Sequence, residues 1–315
     1  MILSARHARL EPEPVAGWPG VLAWRVDNRV GESPTWNGAT EELLWIDVRA
    51  PAVLRLHPRS GRLTRWTLPG VVGALGLIDA DTVVLSQQHG LATLELGSGR
   101  WCAAALLEDE PHGNRLNDGK VSPSGRWWVF GSMCDAATDK QPTGALYCAG
   151  DSGAVRCLHK GLRVANGIAW RQGGEEIWFS DSHAGAIFAA PWDERRGVMG
   201  RPTLRCVSDE QQGRPDGAAI DQDGNYWSAG VSAGCLNRFS GDGEMTRKLP
   251  LPCRFPTMPC FGGAGLDRLF VTSLVRPDAT PDSLALDGAL IELPAPVAGV
   301  ATALWAPGPA PLGCC

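Results

Sequence analysis

Six short strand-like runs recur along this chain at a nearly constant step. They occupy residues 43–48, 82–86, 127–131, 177–181, 226–230 and 269–273, each rich in β-branched or aromatic residues. With Trp45, Val84, Trp128, Trp178, Trp227 and Phe270 as markers, the steps are 39, 44, 50, 49 and 43 residues. A period of roughly 40 to 50 residues holding about four strands is the mark of a propeller blade, so six markers predict an all-β, six-bladed β-propeller with four antiparallel strands per blade. A two-sheet sandwich would also use many strands, but it explains neither the step nor the phrase that recurs with it.

That phrase is Arg115-Leu116-Asn117-Asp118-Gly119-Lys120, then Val164-Ala165-Asn166-Gly167-Ile168-Ala169, then Arg214-Pro215-Asp216-Gly217-Ala218-Ala219. Each copy runs into a strand that ends in a turn, at residues 122–125, 171–174 and 221–224. A divergent fourth copy is Gly31-Glu32-Ser33-Pro34-Thr35-Trp36. The segment at residues 22–26 precedes all of them and is left over. It is expected to supply the outer strand of the last blade and so close the ring, leaving no free sheet edge.

Composition narrows the class further. The 39 glycines and 24 prolines are spread throughout, which disfavours long helices and favours turns. No compositional break divides the 315 residues, so one domain over 1–315 is expected, with an N-terminal extension at 1–19 and a tail at 306–315. A net charge of -5 with no clustered Lys or Arg speaks against a nucleic-acid partner. No stretch reaches membrane-spanning length and the N-terminus lacks a signal-peptide core, so no membrane partner and a cytoplasmic location are the expectations, as a monomer or small homo-oligomer. The ten cysteines are scattered without a Cys-x-x-Cys pair and are read as reduced thiols; Cys314 and Cys315 end a Pro/Gly-rich tail.

In a propeller the first strand of each blade lines the central channel, so residues that open these strands ring its mouth. Glu32 would open blade one, Asn117 blade three, Asn166 blade four and Asp216 blade five. Blade two, at residues 73–76, and blade six, at residues 259–263, offer glycines but no carboxylate or amide there. Two carboxylates crowded together repel unless a cation or proton lies between them. An all-oxygen set suits a hard divalent ion such as Ca²⁺, Mg²⁺ or Mn²⁺, and Zn²⁺ also accepts carboxylates. A single Asn-Gly or Asp-Gly pair is most often just a tight turn; the phasing of several copies with the repeat is what points to a site.

The motifs Gly31-Glu32-Ser33-Pro34-Thr35-Trp36, Arg115-Leu116-Asn117-Asp118-Gly119-Lys120 with Ser122-Pro123-Ser124-Gly125-Arg126, Ala165-Asn166-Gly167 and Pro215-Asp216-Gly217 together resemble the gluconolactonase/regucalcin, or senescence-marker-protein-like, sugar lactonases. The resemblance spans about residues 20 to 305. It implies a six-bladed propeller that hydrolyses aldonolactones with one bound divalent metal, held by Glu32, Asn166 and Asp216. Arg115 and Asn117 would contact substrate, with Asn117 also reaching the ion directly or through water. Some relatives bring an acidic residue to the substrate from a segment like residues 131–136; here Asp135 is present, but Ala136 stands where that contact falls, implying an altered substrate end.

Such a site would polarise a lactone carbonyl and activate a water. Asp216, as ligand and base, would take the proton, and Arg115 would stabilise charge on the carbonyl oxygen. Other metal-dependent ester hydrolysis, of an organophosphate or a non-sugar lactone, and a non-catalytic calcium- or partner-binding propeller are the competing readings. No Gly-x-Ser-x-Gly elbow supports a serine hydrolase. His89, His112 and His183 fall in loops near the blade tops, Asp118 is either a support to the site or a turn residue, the 13 tryptophans are expected between blades, and the loop at 276–283 borders the pocket in an orientation the sequence leaves open.

Overall fold

The computed structural model describes residues 1–150, 154–171, 173–276 and 286–307. Each of the six marker residues lies in the second strand of a separate sheet and is at most 1% exposed. Trp45, Trp128, Trp178 and Trp227 are thereby removed from water at about 1.5–3 kcal/mol for each large side chain. Their indole N–H groups are satisfied by Asn28, Ser86, Glu176 and Asp221, respectively.

The six sheets form a ring. In chain order their first strands are Gly31–Asn37, Val72–Leu77, Asn114–Val121, Ala165–Trp170, Pro215–Ile220 and Pro256–Gly262. Each packs against the next, and the sixth packs against the first. The apolar interior is divided accordingly into six clusters, each between two neighbouring blades. Trp36, Trp45 and Phe270 join blades six and one, for instance, while Trp178, Tyr226 and Phe239 join blades four and five. The structure is thus the expected all-β six-bladed propeller. Among the described residues there is no helix, and so none long and apolar enough to cross a membrane.

Ring closure follows the expectation: Leu22–Trp24 pairs with Leu290–Pro294 of blade six, Ala23 opposite Ile291. The N-terminal residues do more than extend the chain. Ala5–Arg9 adds a fifth strand to blade one by pairing with Arg62–Thr67, and Glu13–Pro14 pairs with the closing strand. At the other end, residues 298–306 run beneath the ring. Gln222 N donates to Ala298 O in blade five, and Ala306 N donates to Gly125 O in blade three. Trp305 is fully buried at the interface of blades two and three. This strap floors an apolar cavity of about 160 Å³ at the far ends of the first strands, with Lys120 among its lining.

The eight described cysteines are all free thiols, whereas Cys314 and Cys315 lie outside the described residues. So do Gln172 of the turn at 171–174 and the loop beyond Arg276 up to residue 285.

Candidate active site

Every first strand carries an irregularity in its pairing with the second, and in blades one, three, four and five it falls at the recurring phrase. The register shifts lie between Glu32 and Thr35, Val72 and Ala74, Asn117 and Gly119, Asn166 and Ala169, Pro215 and Ala218, and Pro256 and Met258. Extra residues in one strand bend it and redirect a side chain. The phrase is therefore the sequence of a bulge. It also moves the blade-six counterpart to Thr257, upstream of the 259–263 stretch suggested by its glycines; Thr257 Oγ1 lies 2.5 Å from Gly31 O and 2.8 Å from Thr272 Oγ1. Gly167 has φ +62°, and a Cβ there would meet Tyr226 Oη at 2.1 Å and Asp216 O at 3.1 Å. Only glycine lets the neighbouring blade approach so closely.

Glu32, Arg115, Asn117, Asn166 and Asp216 are all buried, none more than 9% exposed. Four of them form a chain of hydrogen bonds across three blades. Arg115 Nη1 donates to Asn117 Oδ1 at 2.7 Å, Asn117 Nδ2 to Asn166 Oδ1 at 3.0 Å, and Asn166 Nδ2 to Asp216 Oδ1 at 2.6 Å. Glu32 accepts from Ser33 N at 3.1 Å. Burial pushes the Glu32 carboxyl well above its usual range, and the charges of Asp216 and Asp118 add to this. Burial, then the charge of Asp118, raises Asp216 to about 7, against the weaker opposing pull of Arg214 and Arg115. The sequence-predicted site residues thus meet at one place, and their two carboxylates strain against shared burial.

Asp118 supports the site without joining its donors. Its Oδ1 accepts from Gly119 N at 2.7 Å and its Oδ2 from Ile168 N at 2.8 Å, stitching blade three to blade four. Lys120, from the same phrase, donates to Ala218 O at 2.5 Å. Burial lowers its pKa while Asp118, Cys260 and Glu32 pull it back up. His112 and His183 are exposed and His89 half-buried, and among the described residues no hydrogen bond ties their rings to the site. Among the described residues no three of His, Cys, Asp and Glu gather as a metal cluster; the oxygen donors here are two carboxylates and the amides between them.

Asp135 ends on Arg115: Arg115 Nε donates to Asp135 Oδ1 at 3.0 Å. Two residues that sequence reasoning missed complete this side. Asp47, at the end of the second strand of blade one, accepts from Arg29 N, Val30 N, Arg49 N and Ala50 N. This fixes the loop from which Arg49 reaches Asp135 at 2.5 and 3.2 Å. Asp181 plays the same part in blade four, accepting from Arg163 N, Val164 N, His183 N and Ala184 N. The signal was the Ile-Asp and Ser-Asp endings of the marker strands, which the repeat places in register.

Residues 30–275 match the SMP-30/gluconolactonase/LRE-like region. The chain belongs to that family. Over 287 residues it is 32% identical to a 6-deoxy-6-sulfogluconolactonase of Pseudomonas putida, covering 88% of this chain and 95% of the relative. It is 30% identical over 289 residues to an L-arabinolactonase of Azospirillum brasilense, covering 90% and 94%. Among solved structures, a calcium-binding protein, regucalcin, of Agrobacterium tumefaciens superposes with a TM-score of 0.83 at 28% identity, covering 89% of this chain and 95% of that one. The matched region takes in the bulge of every blade, from Glu32 to Met258.

Proposed function

We propose that this protein is a divalent-metal-dependent sugar lactonase that opens an aldono-1,4- or 1,5-lactone to the aldonic acid. One observation carries the reading: Glu32 and Asp216 are buried carboxylates with raised pKa values, and among the described residues no lysine or arginine forms an ion pair with either. Buried charges are costly unless paired, and a hard cation bound by oxygen donors supplies the pairing. The donor set fits such an ion, with Glu32, Asn166 and Asp216 as ligands and Asn117 beside them. Asn166 presents its nitrogen to Asp216, so ligation asks for a half-turn of that amide. Calcium is the first ion to test, since a similar structure is that of a calcium-binding protein; Zn²⁺, Mg²⁺ and Mn²⁺ follow.

When bound there, the ion would polarise the lactone carbonyl and acidify a water. The chain's own groups do the rest. Asp216, with Oδ1 turned to Asn166, has Oδ2 left to hold the proton released as the water adds to the carbonyl carbon. Arg115 brings a guanidinium to the same wall and would stabilise the negative charge growing on the carbonyl oxygen. Asn117, anchored on Arg115 and Ala165 O, would contact substrate hydroxyls from there. Collapse of the adduct breaks the ring C–O bond, and the proton held at Asp216 goes to the departing hydroxyl. Lactonase names among the relatives support ester hydrolysis. Base uptake on a panel of aldonolactones, with and without chelator, tests the reading; acid release that a chelator abolishes is expected, and no release on any member overturns it.

A further inference from the structure

The charge balance beside Arg115 is uneven. Asp135 is shared by Arg49, through both of its Nη atoms, and by Arg115. Lys140 stands next to them, donating its ammonium to Cys134 O and Ala136 O at 2.8 Å each. Burial depresses the Lys140 pKa, and the positive charge of Arg115 depresses it further. Glu110, another carboxylate of this blade, is taken up by Asn114 at 2.6 Å and Tyr147 at 2.5 Å. Among the described residues no second carboxylate forms an ion pair with Arg49, Arg115 or Lys140. Arg115 feels the charge of Glu32 from the reaction-centre side; on its outward side Arg49, Arg115 and Lys140 gather around the single carboxylate of Asp135.

The placement of these cations is informative. Arg49 comes from blade one and Asp135 from blade three, so their ion pair skips blade two. There the first strand offers only Gly73 and Ala74, and a Cβ at position 73 would meet Leu116 O at 2.1 Å. Arg115 is 9% exposed in its side chain and faces Asn117, whereas Arg49 is 47% exposed and Asp135 27%. The cations thus run outward from the reacting centre, and Arg49 stands at the solvent end on a loop held by two backbone bonds to Asp47, from Arg49 N and Ala50 N. Arginine on a braced loop, with a planar fork and several donors, suits an oxyanion.

Resting on the lactonase reading, we infer that the preferred substrates are sugar lactones carrying a negatively charged oxyanion group at the end remote from the lactone carbonyl, with Arg49 determining that preference. The group exchanges for, or shares with, Asp135 on the Arg49 guanidinium. Its class is a carboxylate or other acidic oxyanion; the chemistry of recognition is common to them.

The test compares D-glucono-1,5-lactone, its 6-phosphate and D-glucaro-1,4-lactone as substrates of the metal-loaded enzyme and of Arg49→Gln. A charge-assisted pair contributes enough for about a tenfold or larger advantage in kcat/KM, read in KM, for at least one charged lactone over the neutral one. Arg49→Gln should bring that ratio to within about twofold, Arg49→Lys should restore part of it, and in the parent enzyme raised salt should shrink it. Equal kcat/KM for neutral and charged lactones, or an advantage that survives Arg49→Gln, overturns the inference. If the neutral lactone is then still hydrolysed in a chelator-sensitive way, the lactonase reading stands without it; if none of the three is turned over, both fall. Should the variant fail to fold, the salt series on the parent enzyme still decides: an advantage that salt leaves unchanged overturns the inference.

Discussion

Ser33 and Gly167 hold the same place in two different blades, each directly after a site residue and each with a left-handed backbone, at φ 53° and φ 62°. Glycine adopts that conformation freely, whereas serine is strained in it. Blade one keeps the serine because its hydroxyl accepts from Leu75 N at 2.9 Å and donates to Leu75 O at 3.1 Å, tying blade one to blade two. Ser33→Ala should lose those bonds and retain the strain. Ser33→Gly should lose the bonds but relieve the backbone, and so be less destabilised than the alanine variant by about 1 kcal/mol. Denaturant midpoints of the two variants check the order.

Gly167→Ala meets the opposite fate. A methyl group there is forced onto Tyr226 Oη and Asp216 O, and the variant should lose about 2 kcal/mol or more. Thermal unfolding measures the loss, and lactonase assays at a temperature where the variant remains folded should show activity falling further than stability alone explains, because Asn166 is displaced with it.

Asp216→Asn should keep the fold and lose most of the activity, on the order of a hundredfold or more if the residue is both ligand and proton acceptor. A circular dichroism spectrum matching the parent, beside a collapsed kcat, is the expected pair of results. Turnover at the parental rate would remove Asp216 from the mechanism.

The same residue predicts how the chelated protein responds to pH. Burial raises the Asp216 carboxyl from an ordinary 3.8 to about 7. The folded state therefore binds this proton more tightly than the unfolded chain. Its stabilising effect is full at low pH, where both states are protonated, and is lost as pH rises from about 4 to about 7, where only the unfolded chain has ionised. Chelated protein should thus melt higher at pH 5 than at pH 7.5 by a margin that Asp216→Asn reduces, and melting scans at the two values check it.

Adding Ca²⁺ at pH 7.5 should restore that stability. At a hundred times its dissociation constant a ligand specific to the folded state contributes about 2.7 kcal/mol. The upward shift of the melting temperature should vanish in Glu32→Gln, a readout that needs no substrate.

Much of this was legible in the sequence because a repeat turns distance along the chain into nearness in space. The buried markers from Trp45 to Phe270 needed only hydrophobicity and spacing, and Glu32, Asn117, Asn166 and Asp216 needed only a phase within that spacing. What escaped has no apolar signature. Ala5–Arg9 is exposed at every position and is held by its pairing with Arg62–Thr67, so no hydropathic alternation announces it. Thr257 was passed over because its blade's glycines lie downstream of the bulge. Arg49 reads as any solvated loop arginine until Asp47 is seen to brace its backbone, and Trp305 lies outside the repeat altogether.

The pairing of Ala23 with Ile291 also sets an order of events during synthesis. Blades one to five can each complete their sheets soon after leaving the ribosome, but blade six joins a strand that precedes blade one in the chain to one that follows every other blade. Until Leu290–Pro294 emerges, Trp36 and Trp45 flank an unlatched seam, and a nascent chain stalled short of that point would offer chaperones an open apolar face that the finished ring conceals.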